Sequence, residues 1–385
     1  MAISRTARRL EGIGSTIFAE MSALAVRTGS VNLGQGFPDA DGPPAVIEAA
    51  VEAMRSGRNQ YPPGRGTPDL LDAVIAHQQR HYGISLDRSQ VVATTGATEA
   101  IAGALLGLVD PGDEVVMLEP YYDSYVAVLQ MAGGVRRPVT LRAPSFRLDI
   151  DALRNAVTSK TKLILLNTPH NPTGTVLTLA ELEAVAAVAI EHDLIVVTDE
   201  VYEHLVFDGR EHIPLATLPG MFDRTLTISS AGKSFSFTGW KVGWASGPAS
   251  LVAAVEGAKN WLSYSSGAPL QPAVAVALNH HDDFPLALTK ELQDKRDRLC
   301  DGLSTLDMDV FVPQGTYFVT TDVSRYGYPD GRAFCEALPA RAGVVAIPSQ
   351  VFYDDQAEGG QLVRWAFCKE VGVIDEGLRR LRSGL

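Results

Sequence analysis

The chain reads as an α/β protein, with a mostly parallel central sheet in a large domain and a smaller α+β domain beside it. Three observations predict this. Between about positions 91 and 230, short apolar runs alternate with amphipathic stretches, the pattern of parallel strands returned by helices that cover both sheet faces. Residues with acid, amide, phenol, hydroxyl and amine groups gather just after the apolar runs, where ligands sit in an open parallel sheet. Beyond about Ala268 the texture changes to long helix followed by short strands.

Taken in order, strands are expected at 91–95, 114–118, 162–167, 194–198 and 225–229. Helices are expected at 97–109, 122–131 and 179–191, the last rich in Ala, Val and Leu with Glu at intervals. In the second region, a long helix over 273–306 is expected to bend or break near Pro285. Strands at 309–312, 316–321, 343–347 and 362–367 follow, with a closing helix from Val373. The first ~40 residues are assigned to this region, because 31–37 reads as extended. The expected division is therefore a large domain over 46–272 and a small one from 1–45 and 273–385.

A chain of 385 residues has room for two to three domains at roughly 100–200 residues each. It carries 33 Lys+Arg against 45 Asp+Glu, a net charge of -12. Such an acidic field repels phosphate backbones, so no nucleic-acid partner is expected. No run approaches the length of a membrane span. Arg5, Arg8 and Arg9 lie near the start, but no apolar signal core follows them. The cysteines, Cys300, Cys335 and Cys368, are odd in number and form no C-x-x-C pair. That points to a reducing, cytoplasmic setting. The eight histidines read as scattered, and no metal is expected.

The strand ends carry the chemistry. Gly96-Ala97-Thr98 opens a helix directly after a strand. Free N–H groups and the helix dipole there suit an anion, although a plain N-cap would look the same. Gly232-Lys233-Ser234 invites a phosphate-loop reading, but that loop needs Gly at position 227, where Thr227 stands. Lys233 instead lies between an apolar strand and the aromatic run Phe235, Phe237, Trp240. Apolar surroundings depress an ammonium's pKa and favour a nucleophilic amine and Schiff-base chemistry. Asp199 closes the strand Leu194-Ile195-Val196-Val197-Thr198. A carboxylate there is costly unless it meets a cation, and a protonated pyridine nitrogen is one such cation. Tyr202 is close enough to share the ligand, though an N-cap Asp beside a core Tyr is the plainer alternative.

Asn171-Pro172-Thr173-Gly174, Asp199-Glu200-Val201-Tyr202, Ser230-Ala231-Gly232-Lys233 and Val363-Arg364-Trp365 occur in that order. Together they resemble the class I/II aminotransferases, pyridoxal-phosphate enzymes of fold type I. The likeness runs from Asn32-Leu33-Gly34-Gln35-Gly36-Phe37-Pro38 to Arg364. Asn59-Gln60-Tyr61-Pro62-Pro63-Gly64, Tyr122-Asp123-Ser124-Tyr125 and Thr238-Gly239-Trp240-Lys241 are most similar to the N-succinyldiaminopimelate, kynurenine, methionine and glutamine aminotransferase group.

The resemblance implies roles and the cofactor pyridoxal 5'-phosphate. Lys233 is the implied Schiff-base lysine and proton shuttle. Asp199 would keep the cofactor's ring nitrogen protonated. Tyr202 and Asn171 would hydrogen-bond its phenolic oxygen, and Tyr122 would stack on the ring. Gly96, Ala97 and Thr98, with Ser230 and Lys241, would hold the phosphate. Arg364 would take the substrate carboxylate as a bidentate pair, helped by Asn171 and the backbone of Gly36. Tyr61 would reach the phosphate of the other subunit, which implies a homodimer with shared sites.

The implied reaction moves an amino group between an L-amino acid and a 2-oxo acid in two half-reactions. Aspartate-specific relatives borrow an arginine from the stretch matching about 260–271, which holds no cation here. Tyr264, Ser265 and Ser266 suggest a hydroxyl-lined wall, and Ile17, Phe18, Phe37 and Tyr122 an apolar one. The substrates expected are N-succinyl-LL-2,6-diaminopimelate with 2-oxoglutarate, or a broad kynurenine, methionine and glutamine set. A β-eliminating C–S lyase would share the same residues. A cofactor-binding regulatory module would need an appended basic DNA-binding domain, which the acidic balance disfavours.

Overall fold

The computed structural model describes residues 6–14 and 16–385. Arg5, and positions 1–5 and 15 of the expected small domain, lie outside the described residues. Seven strands form the main sheet, in the order Val91–Thr95, Val242–Ser246, Thr225–Ser230, Ile195–Asp199, Thr161–Asn167, Glu114–Glu119 and Val135–Thr140. Only Val242–Ser246 runs against the rest. Alternate side chains feed opposite cores. Val115, Met117, Leu163 and Leu165 pack on one face, and Val116, Leu118, Ile164 and Leu166 on the other. A sheet buried on both faces has to be apolar throughout its strands, and this is why the strands at 114–118 and 162–167 are legible as unbroken apolar runs.

Two strands were not foreseen. Val135–Thr140 holds Arg136, Arg137 and Pro138, a composition that argues against a central strand. It is an edge strand, where a proline is tolerated. Val242–Ser246 is hidden behind Thr238-Gly239-Trp240, a short 3-10 turn that ends with Lys241 in the left-handed region (φ 53°). The helix Ala249–Leu262 was also not expected.

The second unit has an antiparallel sheet in the order Ile347–Pro348, Leu362–Ala366, Phe318–Asp322, Asp309–Phe311, and a parallel pair of Val31–Asn32 with Val344–Val345. The expected strand over 343–347 is thus two short strands in different sheets. The extended reading of 31–37 holds for two residues only. Asn32 Oδ1 accepts the N–H groups of Gly34 and Gln35 at 3.0 and 3.2 Å, and this side-chain turn ends the strand.

The expected helix over 273–306 is two helices, Leu270–His280 and Asp283–Ser304. The break falls at His281 and Asp282, just before Pro285 as expected. Pro285 sits in the first turn of the second helix, where its missing N–H costs nothing. Leu270–His280 packs against Pro44–Arg55 and Pro68–Tyr82, so the packing around the main sheet continues past position 272. Among the described residues, no helix is long and apolar enough to cross a membrane.

Candidate active site

The carboxyl ends of the main strands open on a cavity of about 390 Å3. Twelve of the thirteen expected site residues line it: Gly36, Gly96, Ala97, Thr98, Tyr122, Asn171, Asp199, Tyr202, Ser230, Lys233, Lys241 and Arg364. Tyr61 does not. It is 85% exposed, and its ring meets Tyr264 edge-on at 5.9 Å. Phe18 and Phe37 line the cavity. Ile17 borders a neighbouring hollow, and Tyr264, Ser265 and Ser266 line neither.

Asp199 is the last residue of its strand and is buried. Its Oδ2 accepts the Tyr125 hydroxyl at 2.6 Å, and its Oδ1 accepts the Val201 N–H at 3.3 Å. Burial pushes its pKa up to about 6, against the pull of those two donors and of Lys233. Asn167 links the neighbouring strand ends. Its Nδ2 donates to the Asp199 carbonyl at 2.8 Å, and its Oδ1 accepts the Asn171 N–H at 2.7 Å.

Lys233 stands on the four-residue helix Ala231–Ser234, directly after Thr225–Ser230. Burial lowers its pKa to about 8, although Cys368 and Asp199 pull upward. Its Nζ donates to the Tyr317 hydroxyl at 2.8 Å, and that hydroxyl donates to the Gly36 carbonyl at 2.8 Å.

Arg364 projects from the small antiparallel sheet and is almost wholly buried. It donates to Asn171 Oδ1 at 3.0 Å and to the Gly34 carbonyl at 2.9 Å, while its Nε has no partner among the described residues. The rings of Phe318 and Phe18 lie 3.9 and 4.8 Å from the guanidinium carbon. Burial lowers its pKa to about 10. A buried cation with an unpartnered donor is poised for an anion.

At the opposite end, Gly96 begins the helix Gly96–Leu108 with φ 68°. A Cβ there would come within 3.1 Å of Lys241 Nζ, so a side chain would press on the lysine's end. First-turn N–H groups have no partner within the helix. With Ser230 and Lys241 beside them, they suit a phosphate.

The arrangement fits pyridoxal phosphate in each part: an anion cradle, an unneutralised buried carboxylate, an amine of lowered pKa and an arginine for a carboxylate. Tyr125, Asn167 and Tyr317 were missed as contributors. Tyr125 stands in a motif quoted for the resemblance. Asn167 ends an apolar strand, which is a readable signal. Nothing in the sequence pairs Tyr317 with Lys233.

A model of the family described as aminotransferase class I and II matches residues 28–367. The chain is 52% identical to a probable N-succinyldiaminopimelate aminotransferase of Mycobacterium tuberculosis, over 98% of each chain. A solved structure of N-succinyldiaminopimelate aminotransferase from Mycobacterium tuberculosis superposes with a TM-score of 0.96, covering 98% of this chain and 99% of that one at 52% identity. Methionine aminotransferase of Escherichia coli is 36% identical over 97% of each chain. Kynurenine–oxoglutarate transaminase 3 of Mus musculus is 37% identical over 96% of this chain and 88% of its own.

Proposed function

The chain belongs to the class I and II aminotransferases, and from that premise we propose that its substrates are N-succinyl-LL-2,6-diaminopimelate and 2-oxoglutarate. It is a pyridoxal-phosphate-dependent enzyme of fold type I that moves amino groups between amino acids and 2-oxo acids. The observation that carries the substrate is the 52% identity across nearly the whole of both chains. The absence of a cation over 260–271 agrees with a pocket not built for aspartate.

The roles proposed for the residues are those the resemblance implies, and the geometry supports them. Pyridoxal phosphate supplies an aldehyde that an amine can capture and a ring that accepts electrons from the carbon losing its proton. Lys233 would hold that aldehyde. Its low pKa leaves Nζ able to act as a nucleophile and, once the substrate amine has displaced it, would let it take the proton from the substrate's α-carbon and pass it to the carbon that carried the aldehyde. Tyr317 orients Nζ. Asp199, fixed by Tyr125, would set a negative charge against the ring nitrogen. Tyr122 would cover the ring, and Tyr202 and Asn171 would serve its oxygen. Gly96, Ala97, Thr98, Ser230 and Lys241 would hold the phosphate. Arg364, with Asn171 and Gly36, takes the α-carboxylate.

The division into 46–272 and 1–45 with 273–385, the homodimer and the cytoplasmic setting belong to the same reading. The 91% exposed Trp261, beside exposed Tyr264 and Tyr61, supports a second copy covering that face, with Tyr61 reaching the partner's phosphate.

The test is a half-reaction panel on the cofactor-loaded enzyme, read as bleaching of its yellow colour. N-succinyl-LL-2,6-diaminopimelate is expected to bleach it with the highest kcat/KM, and glutamate to do so as the second donor. Preference for kynurenine or methionine would overturn the substrate. Pyruvate release from cysteine conjugates without any 2-oxo acid would favour the C–S lyase. Borohydride reduction followed by digestion should place the pyridoxyl mass on the peptide bearing Lys233.

A further inference from the structure

His77 and His81 lie one turn apart on the helix Pro68–Tyr82, a spacing that puts both rings on one face. The turn after Asp199 brings His204 against them. The three ring centroids form a nearly equilateral triangle, with sides of 4.5, 5.1 and 5.0 Å. One ring nitrogen or its twin from each residue lies within 4.8 Å of the others, and His77 Nε2 is 2.9 Å from His204 Nε2. None of the three lines the active-site cavity. We propose that His77, His81 and His204 bind one divalent transition-metal ion of the zinc type, with water completing the coordination.

The spacing fits the ion. Zinc–nitrogen bonds of about 2.0–2.1 Å in a tetrahedron place ligand nitrogens roughly 3.3 Å apart, between the closest approach here and the outer bound. The donor set also selects among ions. Imidazole suits zinc, nickel and copper, whereas calcium and magnesium require oxygen ligands. The nearby carboxylates are already committed. Glu203 accepts the Tyr82 hydroxyl at 2.6 Å and the Ser229 hydroxyl at 2.5 Å. Asp282 is gripped by Arg80 at 2.7 and 2.9 Å.

Asp282 Oδ1 also lies 3.3 Å from His81 Nε2, the kind of carboxylate contact that fixes the ring of a metal-bound histidine. His77 is buried, and its Nε2 faces His204 Nε2. His81 is exposed, so an ion has a route in from solvent. Once bound, it would staple the helix to the turn that follows Asp199 and carries Tyr202.

The experiment uses the full-length, tag-free, cofactor-loaded protein after dialysis against EDTA. Zinc titration by calorimetry should show one saturable site per chain. Cobalt should give the visible absorption of a tetrahedral nitrogen site. His81→Ala and His204→Ala should each weaken zinc binding by at least about 100-fold, the loss of a ligand exceeding the 10–100-fold typical of an outer-shell partner. Circular dichroism and the bound cofactor's colour report whether each variant is folded, and His81→Ala, at an exposed position, decides the matter alone if His204→Ala is not. No saturable zinc binding, or unchanged affinity in His81→Ala, would overturn the site.

Discussion

The two ends of the cavity are held in different ways. At the Asp199 end, the partners come from the main sheet and its covering helices. Tyr125 fixes the carboxylate, and Asn167 ties the adjacent strand ends together. At the Arg364 end, the side chain springs from the small sheet, and its partners come from elsewhere. Asn171 lies on the main-sheet side, Gly34 follows the first short strand, and Phe18 belongs to the helix Ile17–Thr28. One end is a property of a single core, while the other exists only when three distant stretches meet. The difference teaches that cofactor grip and substrate grip should respond separately to mutation.

The largest effect tests the rigid end. Removing one partner of a buried charge pair costs about 3–5 kcal/mol, which on the barrier corresponds to about 10²–10⁴ in rate. Asp199→Ala should lose turnover by that factor, whereas Asp199→Glu should keep some. Steady-state kinetics with saturating cofactor read both, and near-normal turnover in Asp199→Ala removes the assigned role.

Next comes the assembled end. Arg364→Lys keeps the charge but loses the planar fork, so kcat/KM for the amino acid should fall about 100-fold at about 2.7 kcal/mol, with cofactor affinity unchanged. Loss of cofactor affinity in that variant would merge the two ends.

The amine at the rigid end supplies a pH test. Lys233 has its pKa lowered to about 8, so its neutral fraction grows as pH rises through that value. Stopped-flow capture of pyridoxal phosphate by the cofactor-free protein should speed up roughly tenfold from pH 7 to 9, by simple titration. A flat profile across that window contradicts the assignment.

The smallest effect refines the assembled end. Phe18→Ala removes one ring from the guanidinium, a contact worth about 1 kcal/mol. KM for the amino acid should rise about fivefold, with kcat nearly unchanged. A fall in kcat with unchanged KM would place Phe18 in the chemistry instead.

The same contrast explains what was legible in the sequence. Asp199 ends one strand that is buried on both faces and Lys233 follows another, so apolar runs point straight at them. Arg364 sits in the middle of the strand Leu362–Ala366, and only its resemblance gives it a role, because its partners lie far away along the chain. Tyr317 reaches Lys233 across the junction of the two sheets, a contact no local pattern encodes. The strand Val135–Thr140 was obscured because edge strands need not look apolar. The histidines read as scattered when taken singly. The pair in His77-Gln78-Gln79-Arg80-His81 was readable from its spacing, whereas His204 joins it only through the fold.

The outer strand Val135–Thr140 has a consequence for crowding inside a cell. Exposed strand margins invite neighbouring chains to add on and grow fibrils. Pro138 offers no amide hydrogen to such an arrival, and Arg136 and Arg137 are held beside it in ion pairs with Asp354 and Glu114. The margin is self-terminating, so concentrated protein can associate through its side-chain surfaces without its sheets fusing into aggregates.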